Sequence, residues 1–134
     1  MIASESQKLL FEAARKILDN AYSPYSNIKV AASLIDDRGR IFTGVNVENA
    51  SYGLTICAER NAIAAAVSAG MKSITALLIT SSIGQIPPCG ACRQVIAEFS
   101  SPSTQIFLAD GEKIVEETTI GELFPMAFEL KGDE

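Results

Sequence analysis

The chain has 134 residues, 48% of them apolar, with a formal net charge of −5, three cysteines and no histidine. This length and apolar content suit a single domain, residues 1–134, built on one core. The acidity disfavours a nucleic-acid partner, the odd cysteine count argues against a disulfide scaffold, and no apolar run reaches the roughly 18 residues a membrane-spanning helix needs.

Met1 to Lys8 carry no apolar leader core, so a cytoplasmic, reducing compartment is expected, in which thiols stay available for metal. Ser4-Glu5-Ser6-Gln7 reads as a capping box, with Ser4 as the cap. Leu9, Leu10, Ala13, Ala14, Ile17 and Leu18 then form one helical stripe, which predicts an amphipathic helix over 4–19. Ser23-Pro24 opens a loop. Runs at 29–35 and 40–45, joined by Asp36-Asp37-Arg38-Gly39, predict an antiparallel hairpin. The alanine-rich stretch 57–69, followed by Gly70, predicts a helix buried on most sides. Residues 74–80 form a buried strand. Pro88 pre-sets the start of a helix running to about Phe99. Residues 105–109 and 113–115 are two more strands. Only Asp110-Gly111-Glu112 separates Ala109 from Lys113, so those strands must be antiparallel; a parallel pair needs a crossover of about ten residues or more. Thr119-Ile120-Gly121-Glu122 is a second capping box, opening a short helix that Pro125 ends. The alternation predicts a three-layer α/β sandwich on a five-stranded mixed sheet.

All three cysteines lie in two motifs at predicted helix starts, Cys57-Ala58-Glu59-Arg60 and Pro88-Cys89-Gly90-Ala91-Cys92. Cys89 and Cys92 share a face of one helical turn. Cys57 must come from the other helix. Three thiols are one short of a closed structural zinc site, which leaves a position for water, as catalytic zinc requires. Helix N-termini and Arg60 would offset the excess thiolate charge. Glu59 is then the natural general acid/base, with its pKa displaced upwards. A lone C-x-x-C also fits a redox pair or half of a structural zinc site, with Glu59 or another carboxylate as fourth ligand. Glu59 and Arg60 alone would read as an exposed helix pair. Together, C-A-E and P-C-x-x-C match the zinc-deaminase signature in its three-cysteine form.

With Gly44-Val45-Asn46-Val47-Glu48-Asn49-Ala50-Ser51-Tyr52, Tyr22-Ser23-Pro24-Tyr25-Ser26 and Pro125-Met126-Ala127-Phe128 added, nearly the whole chain resembles the small, homotetrameric, three-cysteine cytidine deaminases. The resemblance implies one Zn2+ per subunit on Cys57, Cys89 and Cys92, proton transfer by Glu59, and charge tempering by Arg60. It implies that Asn46 and Glu48 hold the ribose, chiefly its 3′-hydroxyl, and that Ala58 meets the pyrimidine edge through its backbone. Tyr52 and Phe128 would complete pockets of neighbouring subunits. The family's usual phenylalanine against the base is Ile28 here, and Met126 stands where glycine is usual. The implied reaction is hydrolysis of free cytidine and 2′-deoxycytidine to uridine, 2′-deoxyuridine and ammonia, in pyrimidine salvage. Independently of the resemblance, Asn46 and Glu48 share one face at strand spacing; their bland reading is a solvated strand end.

Three alternatives compete. A polynucleotide deaminase would share the zinc motif, but the acidity disfavours it, and the resemblance implies that the polynucleotide-editing branch has its last two strands parallel, which the short 110–112 turn does not allow. A non-catalytic zinc module would need a fourth protein ligand. A deaminase for an N4-substituted cytidine or a nucleoside antibiotic would exploit Ile28.

Overall fold

The computed structural model describes residues 1–130. Five strands form one sheet in the order β2-β1-β3-β4-β5. They are β1 (Val30–Asp36), β2 (Ile41–Val45), β3 (Ile74–Ser81), β4 (Gln105–Ala109) and β5 (Ile114–Thr119). The helices are α1 (Ser4–Ile17), α2 (Ala58–Ser68), α3 (Gly90–Glu98) and α4 (Ile120–Leu123). β3 and β4 are parallel, and every other neighbouring pair is antiparallel. The expected hairpins, 30–45 and 105–119, are both present.

Alternation along the strands divides the core into two layers. Ala31, Ala76, Leu78, Phe107 and Ala109 face α1, where Leu10 and Ala14 are buried against them. Ala32, Leu34, Leu77, Ile79, Ile106 and Leu108 face the other way, onto α2, α3 and α4. β3 is apolar on both sides because helices cover both. The sandwich is therefore α-β-α, as the alternation of elements predicts. Among the described residues no helix is long and apolar enough to cross a membrane.

Three boundaries differ from the sequence reading. Ser4 does not cap α1: Ala3 is the cap residue, without a side-chain bond, and Gln7 N–H donates to the Ala3 carbonyl. The helix therefore begins one residue earlier than a Ser4 cap allows and the capping box does not form. Pro88 does not open α3 either. Cys89 is the cap residue, so Pro88 lies outside the helix. β5 extends past Val115 to Thr119 through exposed Glu116 and Glu117, an edge position where an apolar pattern is not required. At its end the second capping position holds: the Thr119 hydroxyl accepts from Glu122 N–H.

One contact fixes α2 on the sheet. A Cβ on Gly44 would lie 2.4 Å from Ala62 N and 2.6 Å from the Ala58 carbonyl oxygen. Only glycine lets β2 approach the helix backbone this closely. Asn61 Nδ2 donates to the Val45 carbonyl at 2.8 Å beside it. The start of β1 and the ends of β2 and β3 meet at one edge of this arrangement, and the functional residues follow directly from those ends.

Candidate active site

Cys57 and Cys89 are the cap residues of α2 and α3, and Cys92 lies in the first turn of α3. Their sulfurs all lie within 4.8 Å of one another, close enough to share one ion at about 2.3 Å from each. Cys92 is buried, Cys57 half-buried and Cys89 exposed. Glu59 stands outside this close cluster, so the fourth-ligand reading of a closed structural site gains no support. The chain has no histidine and no further cysteine. Three soft donors at two helix N-termini fit zinc in an open, catalytic form.

The charges around the thiols follow from contacts. Cys57 is pushed down to about 5, first by a hydrogen bond from the Cys92 thiol and then, against the opposing effect of burial, by Arg60. Arg60 Nη2 lies 3.6 Å from Cys57 Sγ and 3.4 Å from the Thr55 carbonyl. Cys92 moves the other way, because its thiol donates to Cys57 and is buried. Glu59 is buried, and burial holds its carboxyl above the usual range, with the Cys57 thiolate adding to the effect. The upward displacement expected from the sequence thus has a cause in the protein itself.

A cavity of about 250 Å³ opens beside the thiols. Cys57, Ala58, Glu59 and Cys89 line it together with Ser26, Ile28, Asn46 and Glu48. Tyr52 and Ile86 border it as well. The structure therefore brings together the thiols, Glu59, Ala58, Asn46, Glu48, Ile28 and Tyr52. It does not bring Phe128 to this cavity: that ring is 70% exposed and lines a separate groove past α3 and α4. Met126 lies there too and is 91% exposed, so within one subunit it does not fill space left by Ile28.

Asn46 and Glu48 are not a solvated strand end. Both are buried. Asn46 Oδ1 accepts from Val30 N–H and Nδ2 donates to the Ile28 carbonyl, both at 2.9 Å. Glu48 Oε1 accepts from the N–H groups of Tyr25 and Ser26, at 3.0 and 3.1 Å, and Oε2 accepts from the Ser26 hydroxyl. The Ser26 hydroxyl is the main reason the Glu48 carboxyl sits below its usual range; the two N–H groups reinforce it against burial. Ser26, Ile86 and Pro87 were missed as pocket residues. Ser26 had a signal, a hydroxyl in the 22–26 motif; Ile86 and Pro87 had none beyond preceding Cys89.

Residues 4–108 match the cytidine and deoxycytidylate deaminase zinc-binding region. The chain is 45% identical over 123 residues to a cytidine deaminase of Sporosarcina psychrophila, covering 91% of this chain and 90% of that protein. It is similar to the crystal structure of cytidine deaminase from Burkholderia pseudomallei, with a TM-score of 0.85 at 44% identity, over 90% of this chain and 98% of that one. A blasticidin-S deaminase of Bacillus cereus is 29% identical over 136 residues, covering 95% of this chain and 87% of that protein.

Proposed function

The chain belongs to the cytidine and deoxycytidylate deaminases, and from that premise we propose that it hydrolyses free cytidine and 2′-deoxycytidine to uridine and 2′-deoxyuridine, releasing ammonia. The observation that carries this is the cavity itself: Cys57 and Cys89 of the three-thiol cluster and buried Glu59 share its wall with the polar pair Asn46 and Glu48. Cys57, Cys89 and Cys92 would hold a zinc ion, which would supply the Lewis acidity that makes water nucleophilic at neutral pH. Glu59 takes a proton from the attacking water and delivers it to N3 of the pyrimidine. The water oxygen adds to C4; Glu59 then takes the second proton from that oxygen and passes it to the amino group, which leaves as ammonia as the C4 carbonyl forms. A carboxyl held high by burial suits both halves of that exchange. Arg60, beside Cys57, tempers the thiolate charge. Ala58 offers its backbone to the pyrimidine edge. Asn46 and Glu48 take the ribose, Glu48 through the 3′-hydroxyl, and Ile28 forms the wall beside the base.

Free nucleosides rather than polynucleotides are favoured by the antiparallel β4–β5 pair, the net charge of −5 and the ionised Glu48, which repels a 3′-phosphate. The higher identity to a cytidine deaminase than to a blasticidin-S deaminase favours cytidine over a nucleoside antibiotic. A homotetramer in which Tyr52 and Phe128 reach neighbouring subunits is supported by their exposure, 59% and 70%. A single domain, residues 1–134, working in cytoplasmic pyrimidine salvage fits this activity.

The test is the ultraviolet change on deamination, with purified zinc-loaded protein and four compounds. Cytidine and 2′-deoxycytidine turn over, while cytosine and cytidine 3′-phosphate are poor substrates. Cytidine 3′-phosphate reacting as fast as cytidine would overturn the assignment of the sugar end. No turnover of either nucleoside would overturn the function.

A further inference from the structure

Loop 22–30 is folded around the side chains that follow β2. Glu48 gathers Tyr25 N–H, Ser26 N–H and the Ser26 hydroxyl. The same Ser26 oxygen accepts from Ile28 N–H at 3.0 Å. Between them Asn27 turns the chain with φ 61°, a conformation asparagine tolerates better than most residues. The Ser26 hydroxyl thus passes from the buried carboxylate to the backbone of the residue forming the pocket wall, and Ser26, Ile28 and Glu48 all line the cavity.

The acceptor capacity of Glu48 is nearly used. An ionised carboxylate has about four lone-pair sites. Oε1 already takes two backbone N–H groups, and Oε2 takes the Ser26 hydroxyl. One site on Oε2 is left, which matches a single hydroxyl donor. The carboxylate is planar and rigid, so its plane is fixed jointly by the two backbone bonds to Oε1 and by the Ser26 bond, which is the one protein bond made to Oε2 itself.

The geometry points to Ser26 as a positioning residue for substrate selection: its hydroxyl aims the remaining acceptor of Glu48 at the 3′-hydroxyl of the nucleoside. This rests on the reading that Glu48 holds that hydroxyl. Ser26 touches no reacting atom and acts through Glu48.

The test compares cytidine with 3′-deoxycytidine, which lacks the group Glu48 would hold, in zinc-loaded wild type, Ser26→Ala and Ser26→Thr. Wild type is expected to prefer cytidine. In Ser26→Ala that preference shrinks by about tenfold, the size of one hydrogen bond to a charged group. The change falls mainly in KM for cytidine, and Ser26→Thr, which keeps the hydroxyl, restores it. Any disturbance of Ile28 enters both substrates and cancels in the ratio. Equal losses on both substrates in Ser26→Ala would make the residue merely structural and overturn the inference while leaving the Glu48 reading standing. A wild type indifferent to the 3′-hydroxyl would overturn that reading and the inference with it. If melting and zinc content show that Ser26→Ala does not fold, Ser26→Gly enters the same ratio.

Discussion

At the thiol end of the cavity, Cys57 and Cys89 stand at the cap positions of α2 and α3 without a side-chain capping bond to the helix that each one opens. At the proposed sugar end, Asn46 and Glu48 hold loop 22–30 to the end of β2 through five hydrogen bonds. Helix ends place the thiols, and packing of α2 and α3 on the sheet places the helix ends. At the other end the proposed binding groups are themselves the fasteners of the wall they belong to. Function and stability should therefore separate at the first end and coincide at the second.

The largest expected effect is at the thiol end. Glu59→Gln keeps the shape of a buried side chain and removes its ability to carry a proton. Turnover of cytidine should fall by about 10²–10⁴-fold, the usual worth of general acid–base catalysis. Zinc content and melting temperature should stay close to wild type, because burial already disfavours the charged form of Glu59. Steady-state rates, metal analysis and a thermal melt on one preparation check this. A large drop in melting temperature would break the contrast between the two ends.

Asn46→Ala is the matching change at the sugar end. It leaves Val30 N–H and the Ile28 carbonyl without their partners in a half-buried place. Each unsatisfied buried group costs about 1–3 kcal/mol. KM for cytidine should rise and the melting temperature should fall by several degrees, about 2–4 °C per kcal/mol in a chain somewhat larger than this one. A variant with raised KM and an unchanged melt would show that the amide serves the substrate alone.

The same division decides what could be read from the sequence. The thiol end was legible because its chemistry needs rare residues at fixed spacing: three cysteines in two motifs, each at a predicted helix start. The strands and both hairpins were legible from apolar runs and short turns. The sugar end was legible only in outline. Asn46 and Glu48 could be named, but their bonds to residues 25–30 depend on loop backbone that no periodicity describes. The close seat of α2 on Gly44 is equally silent in sequence, since a glycine at a strand end reads first as a turn. Ser4 failed as a cap because a serine four residues from the start satisfies the pattern whether or not the helix begins there. Phe128 lies apart from this cavity, and sequence spacing has no means of saying which groove a side chain lines.

Acid sharpens the comparison further. The carboxyl of Glu48 is held below its usual range by the Ser26 hydroxyl and then by two backbone N–H groups. A depressed folded-state pKa contributes stability that is present above the unfolded value, about 4.5 for a glutamate, and lost as pH falls through the folded value. Glu48→Gln forgoes that contribution at every pH. The wild type should therefore be more stable than Glu48→Gln above pH 4.5, and the gap should narrow below it. Denaturant unfolding of both proteins at several pH values measures the gap. A gap constant down through that range would mean that folding does not lower the pKa of the Glu48 carboxyl.

The smallest effect expected is at Ile28, where backbone belongs to the fastened wall and side chain to the pocket. Its N–H is held by Ser26 and its carbonyl by Asn46, so the position of the wall is set without the side chain. Replacement should change pocket shape and leave the fold alone. Met126 is exposed in another groove of the same subunit, so the nearby fillers are Val30, Ile79 and Ile86. These are branched side chains with little freedom to move into a gap. An aromatic ring at position 28 would narrow this cavity beside the proposed base site. Ile28→Phe adds that ring, with an edge contact worth about 0.5–1.5 kcal/mol, or roughly two- to tenfold in kcat/KM for cytidine. An N4-alkyl cytidine should lose by a similar factor or more, because the ring occupies the added width. Both rates on the same preparation give the result as a ratio. If cytidine and the N4-alkyl substrate change together, residue 28 does not set the width of the pocket, and the wall would then act only through its hydrogen-bonded backbone.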